Sequence, residues 1–410
     1  LAIAYILPVI VPLWKLTPPE VGFLISAGAA GQLVGALVFG WIAERYGRIN
    51  ALIGAIATYA LLSLACAFSW DYASLLILRT IQGFGLGGEV PVAATYINEL
   101  SKAKGRGRFV LLFELVFPTG ILAASLLSLW IVPNLGWQYM FVVGVIPALA
   151  VFFLQRLLPE SPRWLATRGR YADAEVALRV VEKGTERAYG RPLPPPQMSV
   201  AAVEKKPSWT DLFGPTYLKR TLVVWVLWFA TYFVNYGLQT WMPTVYSTVF
   251  HLPLGTSLRY QLFTNVLGLC SSATCAMLID LTGRRRWFVV GFALSATALL
   301  FLWYSGPDTA TRVWLLGTLS YMCVATLSLA VYLYTPELYP TRSRALAVGT
   351  ATAWLRLATM IAPTIVGYLL DGGGLRFVFL TFGLVGLAAA IIVGSFAIET
   401  KGRVLEEISP

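Results

Sequence analysis

Gly40-Trp41-Ile42-Ala43-Glu44-Arg45-Tyr46-Gly47-Arg48 and Ala276-Met277-Leu278-Ile279-Asp280-Leu281-Thr282-Gly283-Arg284 are two versions of one phrase: an apolar run that closes on an acid, a glycine and an arginine. The step from Glu44 to Asp280 is 236 residues. Two further pairs keep nearly that spacing. Glu99, seven residues before Arg106, is echoed by Glu337, seven before Arg344, at an offset of 238. Pro159-Glu160-Ser161-Pro162-Arg163 has its counterpart at Glu399-Thr400-Lys401-Gly402, at 239. One match is chance, but three in register are a duplication.

The medium in which the duplicated unit folds follows from composition. Hydrophobic residues make up 57% of 410 and charged residues 12%, against about 25% charged in an ordinary soluble domain. Apolar stretches long enough to cross a bilayer recur twelve times: 1–14, 21–43, 50–69, 73–98, 108–132, 137–157, 220–248, 259–280, 287–304, 311–335, 345–369 and 375–397. The first opens on Leu1 rather than Met and reads as the back half of a helix; it lacks the basic start and cleavage site of a signal peptide. The expected fold is an all-α membrane protein, twelve transmembrane helices in two pseudo-symmetric six-helix bundles. The bundles cover 1–157 and 217–398, with a polar linker at 158–216 and a tail at 399–410.

A net charge of +11 raises the question of nucleic acid, and the placement of the 31 basic residues answers it. The even-numbered loops, the tail and the turns beside them hold 25. The odd-numbered loops hold Lys15, Arg259, Arg312 and Arg376. This asymmetry puts both termini in the cytoplasm and reports topology, not a nucleic-acid partner. Cys66, Cys270, Cys275 and Cys323 lie in or beside apolar spans without metal-ligand spacing, and His251 is the one histidine. They read as packing residues; neither a metal site, a cofactor site nor a hydrolase triad is expected. In the linker, Tyr171 to Lys183 has the character of a short surface helix, and the prolines of Pro192-Leu193-Pro194-Pro195-Pro196 stop any helix there.

Four motifs carry a family resemblance: the Gly-x-x-x-Asp/Glu-Arg-x-Gly-Arg loop, Arg79-x-x-x-Gly83, Pro-Glu-Ser-Pro-Arg-Trp-Leu at 159–165 and Glu-Thr-Lys-Gly at 399–402. Together they resemble the sugar-porter branch of the major facilitator superfamily over essentially the whole chain. Within that branch, Gly87-Gly88-Glu89-Val90-Pro91-Val92-Ala93 and Gly105-Arg106-Gly107-Arg108, followed by Phe109 to Glu114, are most similar to bacterial niacin transporters and their aromatic-acid relatives. The resemblance implies a monomeric carrier in a bacterial inner membrane, with its substrate between the two bundles near the midplane.

The repeated charges lie at helix ends on the cytoplasmic side. Glu44, Arg45, Arg48, Glu99, Arg106 and Glu160 in the first half, and Asp280, Arg284, Glu337, Arg344 and Glu399 in the second, are expected to form ion pairs between the bundles that hold that side shut. The alternative is loop anchoring at the headgroups, where exposed pairs contribute about 0–1 kcal/mol each.

Charges inside the spans cost at least about 2.5–3.5 kcal/mol and need a partner or a task. Arg79, Glu89, Glu114 and Arg356 qualify. Arg356 falls roughly 16 Å into the eleventh span, at the midplane, on a face shared with Gly349, Thr352, Thr359 and Pro363. A guanidinium keeps its charge and fits a carboxylate with a planar fork. No acid lies in the same span, so its counter-ion is either the substrate or a carboxylate on another helix. The stretch 355–363 is also similar to the corresponding helix of organic anion transporters, where such an arginine recognises anions. Glu89 and Glu114 share a depth, and either could carry a coupled proton or pair with Arg79 or Arg108. Where sugar porters hold a glutamine that binds sugar, this chain has Glu114.

On the seventh span Trp225, Trp228, Tyr232, Asn235, Tyr236, Gln239 and Pro243 share one side. Aromatic rings mixed with amides make a wall for a flat ring with a polar edge, or a packing stripe. Asn265 in the eighth span and Tyr332 and Tyr334 in the tenth are further candidates. Arginine, rings, amides and a membrane acid together describe a monocarboxylic heteroaromatic ligand. The expected activity is import of an organic anion, nicotinate first, by alternating access with a proton as coupling ion. A carrier of another aromatic acid, organic anion or drug has the same architecture, and a receptor that binds without translocation is the reading from a different class.

Overall fold

The computed structural model describes residues 2–100, 115–150, 153, 158–190, 192–193 and 212–402. The helices are α1 (Ala2–Trp14), α2 (Pro18–Tyr46), α3 (Arg48–Ala67), α4 (Tyr72–Leu100), α5 (Val116–Asn134), α6 (Gln138–Val143), α7 (Pro162–Thr167), α8 (Tyr171–Tyr189), α9 (Leu218–Thr248), α10 (Leu254–Thr282), α11 (Arg284–Ser305), α12 (Ala310–Glu337), α13 (Thr341–Gly372) and α14 (Leu375–Phe396). Each of the twelve apolar stretches contains one of them, and among the described residues nine helices are long and apolar enough to cross a membrane. The fold is the expected all-α one.

Exposure tells the same story. Met277 and Leu281, a turn apart on α10, are 76% and 69% exposed, as are many other large apolar residues along the helices. Water does not tolerate such surface on this scale, whereas lipid does.

Two helices depart from the simple pattern. The sixth span stops as an α-helix at Val143 and continues as a 3-10 turn, Ile146–Ala150. Ser63 Oγ of α3 donates to the Phe141 carbonyl at 2.9 Å, and the Val145 N–H goes instead to Val142. Ser63 thus takes an acceptor that the helix would have used, three residues before the kink. In the linker, α7 opens on Ser161, whose hydroxyl accepts from Trp164 N, with Pro162 in the first turn. The expected surface helix is α8, which runs on to Tyr189 and ends at Gly190 in the left-handed region.

Contacts divide the chain into two compact units. One comprises Leu1–Ala29, Gly107–Met140 and Lys205–Pro410, the other Ala30–Arg106 and Phe141–Glu204. The division does not follow the duplicated halves: α1, the start of α2 and α5 group with the second repeat. In the larger unit the core is Val224, Leu227, Trp228, Phe288, Phe292, Leu327 and Val331 with their neighbours on α9, α11 and α12. In the smaller unit it is Phe39, Ala51, Leu52, Ala55 and Val92 on α2, α3 and α4. There the glycine-rich run of α4 has a packing role: a Cβ on Gly85 would meet the backbone of Tyr59 at 2.5 Å, so only glycine lets α3 lie this close.

Candidate functional site

The duplicated motifs build the same object twice. Gly47 and Gly283, at φ +106° and +91°, turn the chain between successive helices. Against each lies the carboxylate of the third motif, Glu160 or Glu399, where any Cβ would collide. Glu160 Oε1 accepts from Arg48 N at 2.9 Å, and Glu399 Oε1 from Arg284 N at 2.9 Å. Each acid caps a helix N-terminus, where free N–H groups and the helix dipole favour an anion.

The arginines complete the clusters. Arg48 Nη2 pairs with Glu44 and Glu99, both at 2.9 Å. Arg284 reaches Asp280 at 2.7 Å through Nη1 and Glu337 at 3.0 Å through Nη2. Both guanidinium groups are nearly enclosed, at 7% and 12% exposure, so these pairs matter more than surface ones.

This geometry corrects the expected role of the charges. The pairs of Glu44, Arg48, Glu99 and Glu160, and those of Asp280, Arg284, Glu337 and Glu399, close within one repeat each, binding helix ends of the same half together. Arg45 lies outside its cluster, with its guanidinium over the rings of Trp41 and Tyr46 at 5.6 and 5.9 Å. Arg344 donates to the Tyr339 carbonyl, and Arg106 lies outside the described residues.

The membrane-embedded candidates in the larger unit fall into two groups. The first surrounds Arg356, sixteenth of the 32 residues of α13 and so at its midpoint. Its guanidinium is half-buried and within electrostatic reach of the phenols of Tyr332, Tyr236 and Tyr232. Tyr232 stacks on Trp228 at 5.9 Å, and Tyr332 meets the same indole edge-on at 4.6 Å. Asn235 Nδ2 donates to Ser328 Oγ at 3.1 Å.

Two expected contacts have other duties. Trp228 is wholly buried and donates its N–H to Thr335 Oγ1 at 2.8 Å, so it backs Tyr232 and presents no open face. Thr359 gives its hydroxyl hydrogen to the Arg356 carbonyl. Tyr232, Asn235 and Tyr236 of α9 stay half-buried, and the two tyrosines are the ones within electrostatic reach of the arginine.

The second group is a chain of amides. Gln261 Nε2 donates to Gln239 Oε1 at 3.2 Å and to Asn265 Oδ1 at 3.3 Å. Asn265 Nδ2 in turn donates to Tyr5 Oη and Ser125 Oγ, both at 3.1 Å. Gln261, Tyr5 and Ser125 were not singled out from sequence. Gln261 had a signal, standing one helical turn before Asn265 on the same face of an otherwise apolar helix.

In the smaller unit, Glu89 is half-buried in α4, and Arg79, ten residues earlier, hydrogen-bonds Gln82 at 2.6 Å. Glu114 lies outside the described residues. Among the described residues no group of three His, Cys, Asp or Glu side chains could hold a metal ion. The site offers, among the described residues, a guanidinium, phenols and amides, groups that bind and orient.

Comparison with known proteins places this arrangement. The model of the family described as sugar (and other) transporter matches residues 16–410. Over 414 positions the chain is 33% identical to the niacin transporter NiaP of Acinetobacter baylyi, spanning 99% of this chain and 91% of that one. It is 28% identical to organic cation/carnitine transporter 7 of Arabidopsis thaliana, spanning 99% and 89%. The crystal structure of a D-xylose-proton symporter shares its fold with a TM-score of 0.77 at 20% identity, covering 98% of this chain and 95% of that one. Duplicated charge clusters, apolar helices and a family match along nearly the whole chain converge: this protein belongs to the sugar (and other) transporter family of the major facilitator superfamily, and is a multi-pass membrane transporter rather than an enzyme.

Proposed function

We propose that the protein imports an organic monocarboxylate, nicotinate first among them, by alternating access coupled to a proton. The observation that carries the reading is Arg356: a guanidinium at the midpoint of a membrane helix, within electrostatic reach of Tyr232, Tyr236 and Tyr332. A carboxylate fits the guanidinium fork, and a phenol beside it stacks on or bonds to a flat ring. Asn235 and Gln239, one turn apart on α9, supply amides for a ring nitrogen. The 33% identity to a niacin transporter supports the same substrate.

Glu89 and Glu114 are the proposed proton carriers, as the acids that the sequence sets within apolar spans. The basic loops support an orientation with both termini in the cytoplasm.

Uptake into proteoliposomes under an imposed pH gradient tests the proposal. Nicotinate should accumulate only when the outside is acidic, and benzoate should compete better than nicotinamide, which lacks the charge. The plant relative named for organic cations makes a tetraalkylammonium ion, which has no carboxylate, the informative control. Uptake that is indifferent to the gradient removes the coupling, and preference for the tetraalkylammonium ion removes the anion.

A further inference from the structure

The two repeats are joined by side-chain bonds at equivalent helix pairs, although the bonded residues do not match position for position: at the offset of 236 that relates Glu44 to Asp280 on these helices, Ser26 falls on Leu262, one turn before Asn265. Ser26 Oγ lies 2.8 Å from Thr364 Oγ1, and Asn265 Nδ2 donates to Ser125 Oγ at 3.1 Å. Each bond joins the second helix of one repeat to the fifth of the other: α2 to α13, and α10 to α5. Each also lies toward the helix ends that lead into the odd-numbered loops. A carrier that opens on that side has to break both.

What stands behind the two clasps differs. The Ser26 hydroxyl also contacts the Met360 carbonyl at 2.6 Å, and the chain of bonds ends there. The Asn265 amide continues through Gln261 to Gln239. Gln239 Nε2 and Gln261 Oε1 are buried and, among the described residues, have no hydrogen-bond partner. Both side chains line a cavity of about 10 Å³, together with Tyr246, Thr264, Thr318 and Tyr321, which is room for roughly one water-sized group. An unmatched donor and an unmatched acceptor at one small cavity are a ready contact for a polar ligand edge.

We propose that Gln261 is a positioning residue that couples filling of this cavity to release of the Asn265 clasp. Both N–H groups of its amide are engaged, one on Gln239 and one on Asn265. A ligand group that draws Gln239 Nε2 or Gln261 Oε1 toward itself rotates the Gln261 amide away from Asn265 Oδ1. Asn265 then loses the bond that orients it toward Ser125 and Tyr5. The Ser26 clasp has no such link and holds regardless of occupancy. This rests on Gln239 as a substrate contact but does not require that the substrate be nicotinate.

The test is thiol labelling without ligand. Gly317 lines the cavity, and a Cβ there has open space within 4 Å, so Gly317→Cys in a background lacking the four native cysteines reports opening to an impermeant maleimide applied from the odd-loop face. Ser125→Ala and Gln261→Leu should each raise the labelling rate at least about fivefold. Ser295→Ala, which deletes a buried bond between α11 and α12 inside one repeat, should stay within about twofold of the parent. Gln261→Glu keeps the shape while removing the amide N–H pair, and should raise the rate by the same factor, which decides the test if Gln261→Leu fails to fold. In nicotinate uptake, Gln261→Leu should lower kcat at least about tenfold and leave KM within about threefold. Labelling of both Gln261 variants at the parent rate overturns the relay, and an unchanged rate in Ser125→Ala overturns the clasp itself. If the unsubstituted protein takes up no nicotinate, the substrate reading falls, while the labelling rates still decide the relay.

Discussion

The charged helix ends and the membrane midplane of this protein have treated their common ancestry differently. At the ends, Arg48 with Glu44, Glu99 and Glu160 is reproduced residue for residue by Arg284 with Asp280, Glu337 and Glu399. At the midplane the copies have parted. At the offset of 238 that relates Glu99 to Glu337 and Arg106 to Arg344, Arg356 counted back falls on Pro118, and Glu89 counted forward falls on Leu327. Whatever both halves need is present twice and is structural. What one half alone possesses is where the proposed substrate contacts lie, and the chain carries its own second copy against which each can be read.

Substitutions can break that contrast, and the largest effect is expected at the midplane. Arg356→Ala should reduce nicotinate uptake about 10- to 150-fold, the loss of one charge-assisted bond worth about 1.5–3 kcal/mol. Thermal unfolding in detergent should barely move. Arg356→Lys should fall between, since an ammonium cannot present the fork.

At the helix ends the effects should reverse, with stability lost first. Arg48→Ala strands the largely enclosed Glu99, while Glu44 is exposed, and should cost about 3–5 kcal/mol. Arg284→Ala, slightly more exposed, should cost somewhat less. Scanning calorimetry of the two variants side by side checks the order. A smaller effect is expected at Gly283→Ala, which combines a positive φ with a Cβ against the Glu399 carboxylate; about 1–3 kcal/mol should be lost. Gly47→Ala should match it, and a large gap between the two would show that the clusters are not equivalent. The smallest effect belongs to Arg45→Ala, whose side chain lies over exposed rings and whose removal should stay within about 0.5 kcal/mol.

The fold was legible because its signals are periodic and repeated: apolar length marked every span, and three motifs in register marked the duplication. The clusters were legible in membership but not in pairing. Sequence spacing places Glu99 and Glu160 near helix ends, whereas only the packing of α3 against α4, and of the linker beneath them, shows that both close on Arg48 rather than across the bundles. The midplane was legible by cost. Arg356 stood out because an arginine there is expensive, and Asn265 and Gln239 because amides are rare in apolar helices. Trp228 looked the same as Tyr232 on a helical projection, yet its indole N–H found Thr335 and the ring vanished into the core. Gln261 and Tyr5 became visible only when helices from different parts of the chain met, since a hydrogen-bond partner is chosen by tertiary register.

The most direct measurement is calorimetric binding of nicotinate and nicotinamide, identical in ring and different in charge, to the unsubstituted protein and to Arg356→Ala. The account predicts that the unsubstituted protein binds nicotinate at least about tenfold more tightly and that Arg356→Ala binds the two alike. If the variant still prefers nicotinate by the same factor, Arg356 is not the group that recognises the carboxylate.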